Sequence, residues 1–315
     1  MAHSHQGHSH SHHHHGAATG KILIASLVVT LVFVATEAVA GWWSGSLALL
    51  SDAGHNFTDA FGLVLAATAY KLESRPGDQI KTFGYQRTGV LAAFVNALML
   101  VGFSVFLIWE SIQRLRAPEP INDSVMMIVA GVGLVINLAI AWGIGGHGND
   151  LNLRATFLHQ LGDAASCVGI ILGAIVIHYT GWVSVDPILS ILMSIFIIWT
   201  AWDIFKDSLN ILLEGLPKGL NLAEVTHEMR AIPRVFDVHD LHIWSLGSEA
   251  SALSCHVVIE DMPTSESELL LASLNRVLSD RFHIHHATIQ FEHTRCAAAD
   301  DCAGGASREM ASHVH

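Results

Sequence analysis

Two short polar patterns interrupt the long apolar stretches of this chain, and each pairs a histidine with an aspartate four residues later. His55 and Asp59 form the first pair, and His159 and Asp163 form the second. Residues four apart lie on one face of an α-helix, so each helix presents an imidazole beside a carboxylate. If the two faces meet, they supply two nitrogen and two oxygen ligands to one metal ion.

This donor set suits zinc, which proteins hold tetrahedrally through nitrogen and oxygen, better than manganese or magnesium, which prefer octahedral oxygen shells. The four residues include no thiolate, which argues against a copper(I) site. A catalytic zinc keeps one position open for water, and the sequence has no H-E-x-x-H pattern, so we expect no enzyme. A single pair could equally be a structural hydrogen bond, but the repeated spacing favours a metal site.

Six long apolar segments hold these patterns and predict transmembrane helices, since a bilayer core needs about 20 apolar residues. They cover residues 22–43, 47–70, 89–109, 125–142, 157–179 and 182–202. Only 14% of the residues are charged, against about 25% in soluble domains. We expect four parts: a His-rich tail (1–20), a transmembrane domain (21–205), a cytoplasmic domain (206–296) and a flexible tail (297–315).

The basic residues predict the orientation of these helices, because cytoplasmic loops are enriched in lysine and arginine. One orientation places seven basic residues in the cytoplasm and leaves only Arg114 and Arg116 outside. Both termini are then cytoplasmic in a multi-pass protein of the inner membrane. The first 20 residues lack the apolar core of a cleavable signal peptide. A net charge of −12 argues against nucleic-acid binding.

The last hundred residues have the composition of a soluble domain, and their pattern is helix, strand, strand, helix, strand. The predicted helices cover 222–231 and 265–282, and the predicted strands cover 235–246, 251–261 and 286–293. This order suits an α+β sandwich with helices on one face of a sheet. The predicted fold class is therefore a six-helix membrane protein with a small α+β domain.

The chain resembles the cation diffusion facilitators, on the residues from about 20 to 296. The two H-x-x-x-D pairs carry this resemblance, together with four further runs: SLALLSDAGHNFTDA, RPGDQIKTFGYQR, LNILLEGLP and VHDLHIWSL. It is closest to the zinc-preferring bacterial branch that includes zinc/cadmium/cobalt exporters. The resemblance implies a homodimer that exchanges a cytoplasmic metal ion for an external proton. It also implies a bundle of spans one, two, four and five, with spans three and six beside it.

The same resemblance implies a ferredoxin-like, metallochaperone-like cytoplasmic domain that dimerises and binds regulatory zinc through His239, His256 and Glu292. Exposed strand histidines are common, so an ordinary surface role stays open for these residues. Asp52, one turn before His55, is expected to support the site. Some relatives carry histidines in the loop after span two, but this loop has Asp78 without them, and we predict no metal there.

Two terminal features leave alternatives open. Cys296 and Cys302 could add thiolate ligands, or they could lie in a disordered tail. Eight histidines fall within residues 1–15, which indicates either a natural metal-gathering segment or an expression tag.

Together the residues predict a proton-coupled antiporter that exports zinc, and with it cadmium or cobalt, since all three accept mixed nitrogen and oxygen ligands. Zinc and protons compete for the imidazoles, because a ligating histidine must be neutral and titrates near physiological pH. The expected partners are divalent ions, protons, the lipid bilayer and a second copy of the chain, with Zn²⁺ as substrate and regulatory ligand and no organic cofactor. The alternative function is a membrane-bound zinc sensor.

Overall fold

A computed structural model describes residues 16–144, 151–247 and 250–294, with residues 16–29, 144, 151–153 and 155 described by their backbone alone. Six long helices come first: α1 (Gly16–Ser44), α2 (Leu47–Glu73), α3 (Thr88–Arg116), α4 (Asp123–Ile144), α5 (Leu151–Thr180) and α6 (Val185–Leu212). The elements that follow are α7 (Leu222–Arg230), β1 (Val235–Ser245), β2 (Ser251–Ile259), α8 (Thr264–Phe282) and β3 (Ile284–Glu292).

The structure confirms the predicted fold class and the order of its elements. The start of the sixth span differs from the prediction: α6 begins at Val185, three residues after the predicted start at Trp182. Gly181 has a φ of 67°, and the amide of Val185 donates to the carbonyl of Trp182, so these residues form a turn before the helix. A φ in this range is inexpensive only for glycine.

Four helices of the described chain have both the length and the hydropathy to cross a bilayer, namely those over Thr88–Arg116, Asp123–Gly143, Thr156–Thr180 and Val185–Leu212. Helix α2 is also long, with 27 residues, but Asp52, His55 and Asp59 make it more polar. Ionisable residues in membrane helices face the protein interior and mark function, so the polarity of α2 locates a site.

The described residues form two compact units, one within residues 16–61 and 99–199 and the other within residues 62–98 and 200–294. In the first unit, Ala48 and Leu49 of α2 pack with buried side chains of α4 and α5. Helix α2 also lies against α3, because a Cβ atom on Gly54 would fall 1.8 Å from Cε1 of Phe103. Only glycine allows this approach, one residue before His55.

The turn between α1 and α2 is held from two other places in the first unit. The guanidinium of Arg114 donates to the carbonyl of Gly45, and the amide of Asn122 donates to the carbonyl of Ser44 at 2.8 Å. Asp186 caps α2 by accepting hydrogen bonds from the Ser46 hydroxyl at 2.5 Å and from the Leu47 and Ala48 amides at 2.7 and 3.2 Å. A helix leaves its first four amides without partners, and here a residue of α6 satisfies two of them.

The second unit contains the α+β domain. Strand β2 pairs antiparallel with β1 and parallel with β3, so the sheet order is β1-β2-β3. Buried side chains of α8 recur every fourth residue and pack on the sheet; they are Leu270, Leu274, Leu278 and Phe282. Asn221 caps α7 by accepting from the Ala223 amide at 2.9 Å. This sheet fixes which residues of its three strands lie side by side.

Candidate metal centres

The structure brings the two predicted histidine–aspartate pairs together in the first unit. We call His55, Asp59, His159 and Asp163 the helical donor group. Within each helix, Nε2 of the histidine lies 3.5 Å (α2) or 3.6 Å (α5) from a carboxylate oxygen of its own aspartate. Between the helices, Nε2 of His55 lies 3.6 Å from Asp163 Oδ1, and Nε2 of His159 lies 3.1 Å from Asp59 Oδ2.

These four separations are close to those between the ligands of one metal ion, although Asp163 faces His55 through Oδ1 and His159 through Oδ2. Ligands bound tetrahedrally at the usual zinc distances are about 3.3–3.4 Å from each other. The measured values of 3.1–3.6 Å bracket that edge length, whereas charged N–H···O bonds are about 2.7–2.9 Å long. Donor atoms of His55, His159 and Asp163 all lie within 4.8 Å of one another, and Asp59 contacts both imidazoles.

The members of the helical donor group differ in how far their side chains are exposed to solvent. Asp163 is buried, with 7% of its side chain exposed, whereas His159 is 44% exposed. Nδ1 of His55 and Oδ2 of Asp59 are shielded from water and make no hydrogen bond within the described residues. Buried polar atoms normally have partners, and Asp59 Oδ2 has only the two imidazole nitrogens near it, at 3.1 and 3.5 Å. The exposed side chain of His159 gives a metal ion access to the group from solvent.

A second set of buried polar side chains lies in the same unit. The amide of Asn56 donates to Glu37 Oε2 at 3.3 Å, which joins α1 to α2. The thiol of Cys167 lies 3.7 Å from Asp52 Oδ2, and Nδ2 of Asn137 lies 3.8 Å from the same sulfur. The supporting role predicted for Asp52 remains a prediction, because no described hydrogen bond or ion pair joins Asp52 to a member of the helical donor group.

Asn56 and Asp186 are polar residues near the site that the sequence does not single out, whereas for Glu37 the sequence leaves open a path-lining or a structural role. Glu37 stands alone in a long apolar run, a signal that marks it as notable without giving it a partner. Asp186 lies in the first turn of α6, where an acidic residue is also expected to favour the helix dipole.

The α+β domain holds a second candidate centre, formed by His239, His256 and Glu292, which we call the strand donor group. His239 lies opposite His256 in the β1–β2 register. Glu292 lies on the neighbouring strand β3, two residues beyond Gln290, which pairs with His256. Glu292 bridges the two imidazoles: Oε1 is 2.7 Å from Nδ1 of His256, and Oε2 is 3.3 Å from Nε2 of His239. Donor atoms of all three residues lie within 4.8 Å of one another.

Two aspartates border the strand donor group, and the sequence interpretation did not include them. Asp237 Oδ2 lies 3.7 Å from Nδ1 of His239, and Asp240 Oδ2 lies 4.0 Å from Nε2 of His256. Asp240 has a φ of 51° and falls where the β1–β2 register shifts, as in a β-bulge, which redirects side chains near functional sites. The run DVHDLH, in which acidic residues alternate with histidines, was the available signal.

The loop after α2 uses its aspartate for local structure. Asp78 Oδ1 accepts from the amides of Lys81 at 2.6 Å and Ile80 at 2.7 Å, and Oδ2 accepts from the Tyr85 hydroxyl at 3.0 Å. The backbone N–H of Lys81 is the main cause that holds the pKa of Asp78 below its ordinary value. Asp78 belongs to neither donor group found in the described residues.

The remaining sequence predictions concern cysteines and the N-terminal histidines. Cys255 is a free thiol in the core of the domain, and burial raises its pKa to about 12, so it stays protonated. Cys296, Cys302 and residues 1–15 lie outside the described residues.

Two family models match most of the chain. The cation efflux transmembrane domain matches residues 23–213, and the cytoplasmic domain of cation efflux proteins matches residues 217–294. The two matches meet in the short connection between α6 and α7.

Curated relatives extend over nearly the same length. The chain is 42% identical over 303 residues to "Zinc transporter ZitB" of Escherichia coli (strain K12), with 95% of each chain covered. It is 41% identical over 276 residues to "Metal cation efflux system protein CzcD" of Cupriavidus metallidurans, with 87% of each covered. It is 38% identical over 279 residues to "Cadmium, cobalt and zinc/H(+)-K(+) antiporter" of Bacillus subtilis (strain 168), covering 87% of this chain and 89% of that one. The solved metal-bound C-terminal domain of the CzcD transporter covers 23% of this chain and 99% of its own, with 45% identity and a TM-score of 0.22.

Proposed function

The chain belongs to the cation efflux family, a family of membrane transporters and not of enzymes, and we propose that it exports Zn²⁺ from the cytoplasm in exchange for protons. The transported ion would bind the helical donor group. Zinc is the first expected substrate, and cadmium and cobalt accept the same donors. The relatives named for zinc, and for cadmium, cobalt and zinc, support this substrate class.

The observation that carries the proposal is the cluster of His55, His159 and Asp163, whose donor atoms lie within 4.8 Å of one another, with Asp59 Oδ2 3.1 and 3.5 Å from the two imidazoles. Each helix contributes one imidazole and one carboxylate, so the two helices provide a neutralising charge of −2 for a divalent ion. Ligands that come from separate helices can part when the helices move. Such a site can close around an ion and later release it.

Proton exchange follows from the chemistry of the imidazoles. Zinc binds the neutral ring, and an unperturbed imidazole titrates at about pH 6.5. A proton from a more acidic exterior therefore competes with zinc at His55 and His159 and displaces the ion there. In the cytoplasm the lower proton concentration favours the metal, so a pH gradient drives export.

The strand donor group is proposed as a regulatory zinc site in a cytoplasmic dimerisation domain. Its support is the bridging carboxylate of Glu292 between two imidazoles. The proposed organisation is a His-rich tail (1–20), a transmembrane domain (21–205), a cytoplasmic domain (206–296) and a C-terminal tail (297–315), with both termini on the cytoplasmic side of the inner membrane. The proposed functional form is a homodimer.

Flux measurements in proteoliposomes test the proposal. Vesicles with an acidic interior should accumulate zinc through the protein at neutral external pH, and collapse of the pH gradient should stop the accumulation. Zinc-dependent alkalinisation of the lumen reports the protons that leave in exchange. A sensor without transport activity would bind zinc but leave both signals at the level of empty vesicles, and this result would refute the exporter.

A further inference from the structure

Glu37 and Asp52 place two carboxyl groups deep inside the first unit. Glu37 is 0% exposed and Asp52 is 1% exposed, and neither belongs to the helical donor group. Buried carboxyl groups in a membrane bundle are costly and are associated with ion paths and proton relays. The exchange described above gives neither of them a role.

The hydrogen bonds of this carboxyl pair are incomplete. Glu37 Oε2 accepts from the Asn56 amide at 3.3 Å, and Asp52 Oδ2 lies 3.7 Å from the Cys167 thiol. The other oxygen of each group, Glu37 Oε1 and Asp52 Oδ1, is buried without a hydrogen-bond donor among the described residues.

The two side chains interact with each other. Ionised carboxylates only accept hydrogen bonds, so two of them in contact repel and cannot both stay charged in a water-poor site. One proton resolves this conflict, because it makes one group a donor to the other and satisfies an oxygen that lacks a partner. Aspartic protease dyads show the same chemistry in another setting.

We propose that Glu37 and Asp52 together hold one exchangeable proton, which the transporter gives up when a divalent ion binds the helical donor group. The inference rests on the proposed function for its coupling step, but the held proton itself does not need zinc. It adds a proton-binding site outside the ligands of the metal.

The positions of the charged groups explain the coupling. Asp52 lies three residues before His55 on α2, and His55 and Asp163 are the members of the helical donor group that act electrostatically on the pair. A divalent cation among those donors repels a nearby proton and favours two ionised carboxylates. Loss of the cation restores the repulsion between the carboxylates, and the pair takes its proton back. Zinc and the proton therefore exclude each other across one turn of α2.

A count of protons released on zinc binding tests the pair. The purified protein is titrated with ZnSO₄ near pH 7 in weak buffer with a pH indicator. Glu37→Gln should bind zinc but release about one proton fewer per chain at saturation than the wild type, because the amide permanently supplies the hydrogen-bond donor. Asp52→Asn should behave in the same way. Glu110→Gln, which alters a glutamate of α3 paired with Arg114, is the matched control and should release the wild-type number.

Equal proton release by the wild type and both variants, with zinc bound, would overturn the proposal. Infrared spectroscopy of the wild type keeps it testable if the variants fail to fold. The zinc-free protein should show the carbonyl band of a protonated buried carboxyl group at neutral pH, and zinc should remove that band. Absence of the band in the zinc-free protein would refute the proton held by Glu37 and Asp52, but would not bear on the proposed export of zinc. Presence of the band in a wild type that binds no zinc refutes the exporter and the coupling step, but leaves the held proton.

Discussion

The two donor groups use the same chemistry on different scaffolds. The helical donor group takes its four residues from two helices, while the strand donor group takes its three from three neighbouring strands. Backbone hydrogen bonds of the sheet fix His239 opposite His256, so those imidazoles cannot separate without breaking the ladder. No backbone hydrogen bond can join α2 to α5, since each helix satisfies its own amides, so their donors can part.

This difference teaches which centre is suited to moving an ion and which to sensing one. Small shifts and tilts of packed helices are a common form of conformational change in proteins. A shift of α5 along α2 would separate His55 from Asp163 and His159 from Asp59, but would leave each pair within one helix intact. The sheet offers no comparable movement. The first group is therefore expected to release its ion, and the second to retain it.

The largest expected effect comes from removing a donor of the helical group. Asp163→Ala should reduce zinc flux in proteoliposomes to background, a loss of more than about 100-fold, because even residues that only orient metal ligands cost 10–100-fold. Asp203→Ala removes an exposed aspartate of α6 and is the matched control. Normal flux through Asp163→Ala would erase the functional contrast between the two groups.

Removal of a strand donor should have a smaller effect on transport. His256→Ala should lower the zinc bound per chain by one equivalent, because Glu292 then loses one of its two bridged imidazoles. Export should continue at a reduced rate. Metal analysis after dialysis gives the count, and proteoliposome flux gives the rate. His285→Ala, on β3 but bonded to Ser279, should change neither value. Complete loss of flux in His256→Ala would place this group in the transport path.

The close packing of Gly54 against Phe103, next to the helical donor group, should contribute to the stability of the folded protein. Gly54→Ala forces a Cβ atom into the ring of Phe103 and should destabilise the protein by about 1–3 kcal/mol, the usual cost of overpacking. Gly102→Ala meets open space on α3 and should be neutral or stabilising by up to about 1 kcal/mol, since alanine favours helices. Thermal unfolding in detergent compares the two variants. Equal melting temperatures would show that α2 does not lie closely against α3 at this point.

The smallest expected effect belongs to the loop after α2. Asp78→Asn should leave the zinc count unchanged, because both oxygens of Asp78 are occupied by hydrogen bonds within the loop. Equilibrium dialysis with zinc measures this directly. A variant that binds one ion fewer than the wild type would reveal a third centre and end the comparison of two.

The sequence predicts the helical donors well because their geometry is local. A spacing of four residues places His55 beside Asp59 in any α-helix, and an apolar run around them makes a helix the only suitable element. The contact between α2 and α5 belongs to the tertiary structure and is not encoded by local spacing. The repeated pattern and the family resemblance predicted it. The boundaries of α7, α8 and the strands also follow from local patterns, and the structure places them within two residues of the predictions.

The sequence is a weaker guide where partners are distant. His256 and Glu292 are 36 residues apart and meet only through the register of β2 and β3, which no local spacing encodes. Their selection therefore depended on the family resemblance. Asp237 and Asp240 were missed although they alternate with histidines, because the run does not show which side chains the irregular strand turns towards His239 and His256. Glu37 was noticed, but its interaction with Asp52 needed the packing of α1 against α2.

The cap on α2 has a consequence for biosynthesis. Asp186 accepts from Ser46, Leu47 and Ala48, yet the ribosome makes it about 140 residues after them. While the early helices enter the membrane, those amides have no carboxylate to bind and must rely on water or lipid headgroups. The first turn of α2 can mature only after α6 has been synthesised and has inserted. A chain that stops before α6 should therefore be left with a frayed helix and marked for degradation.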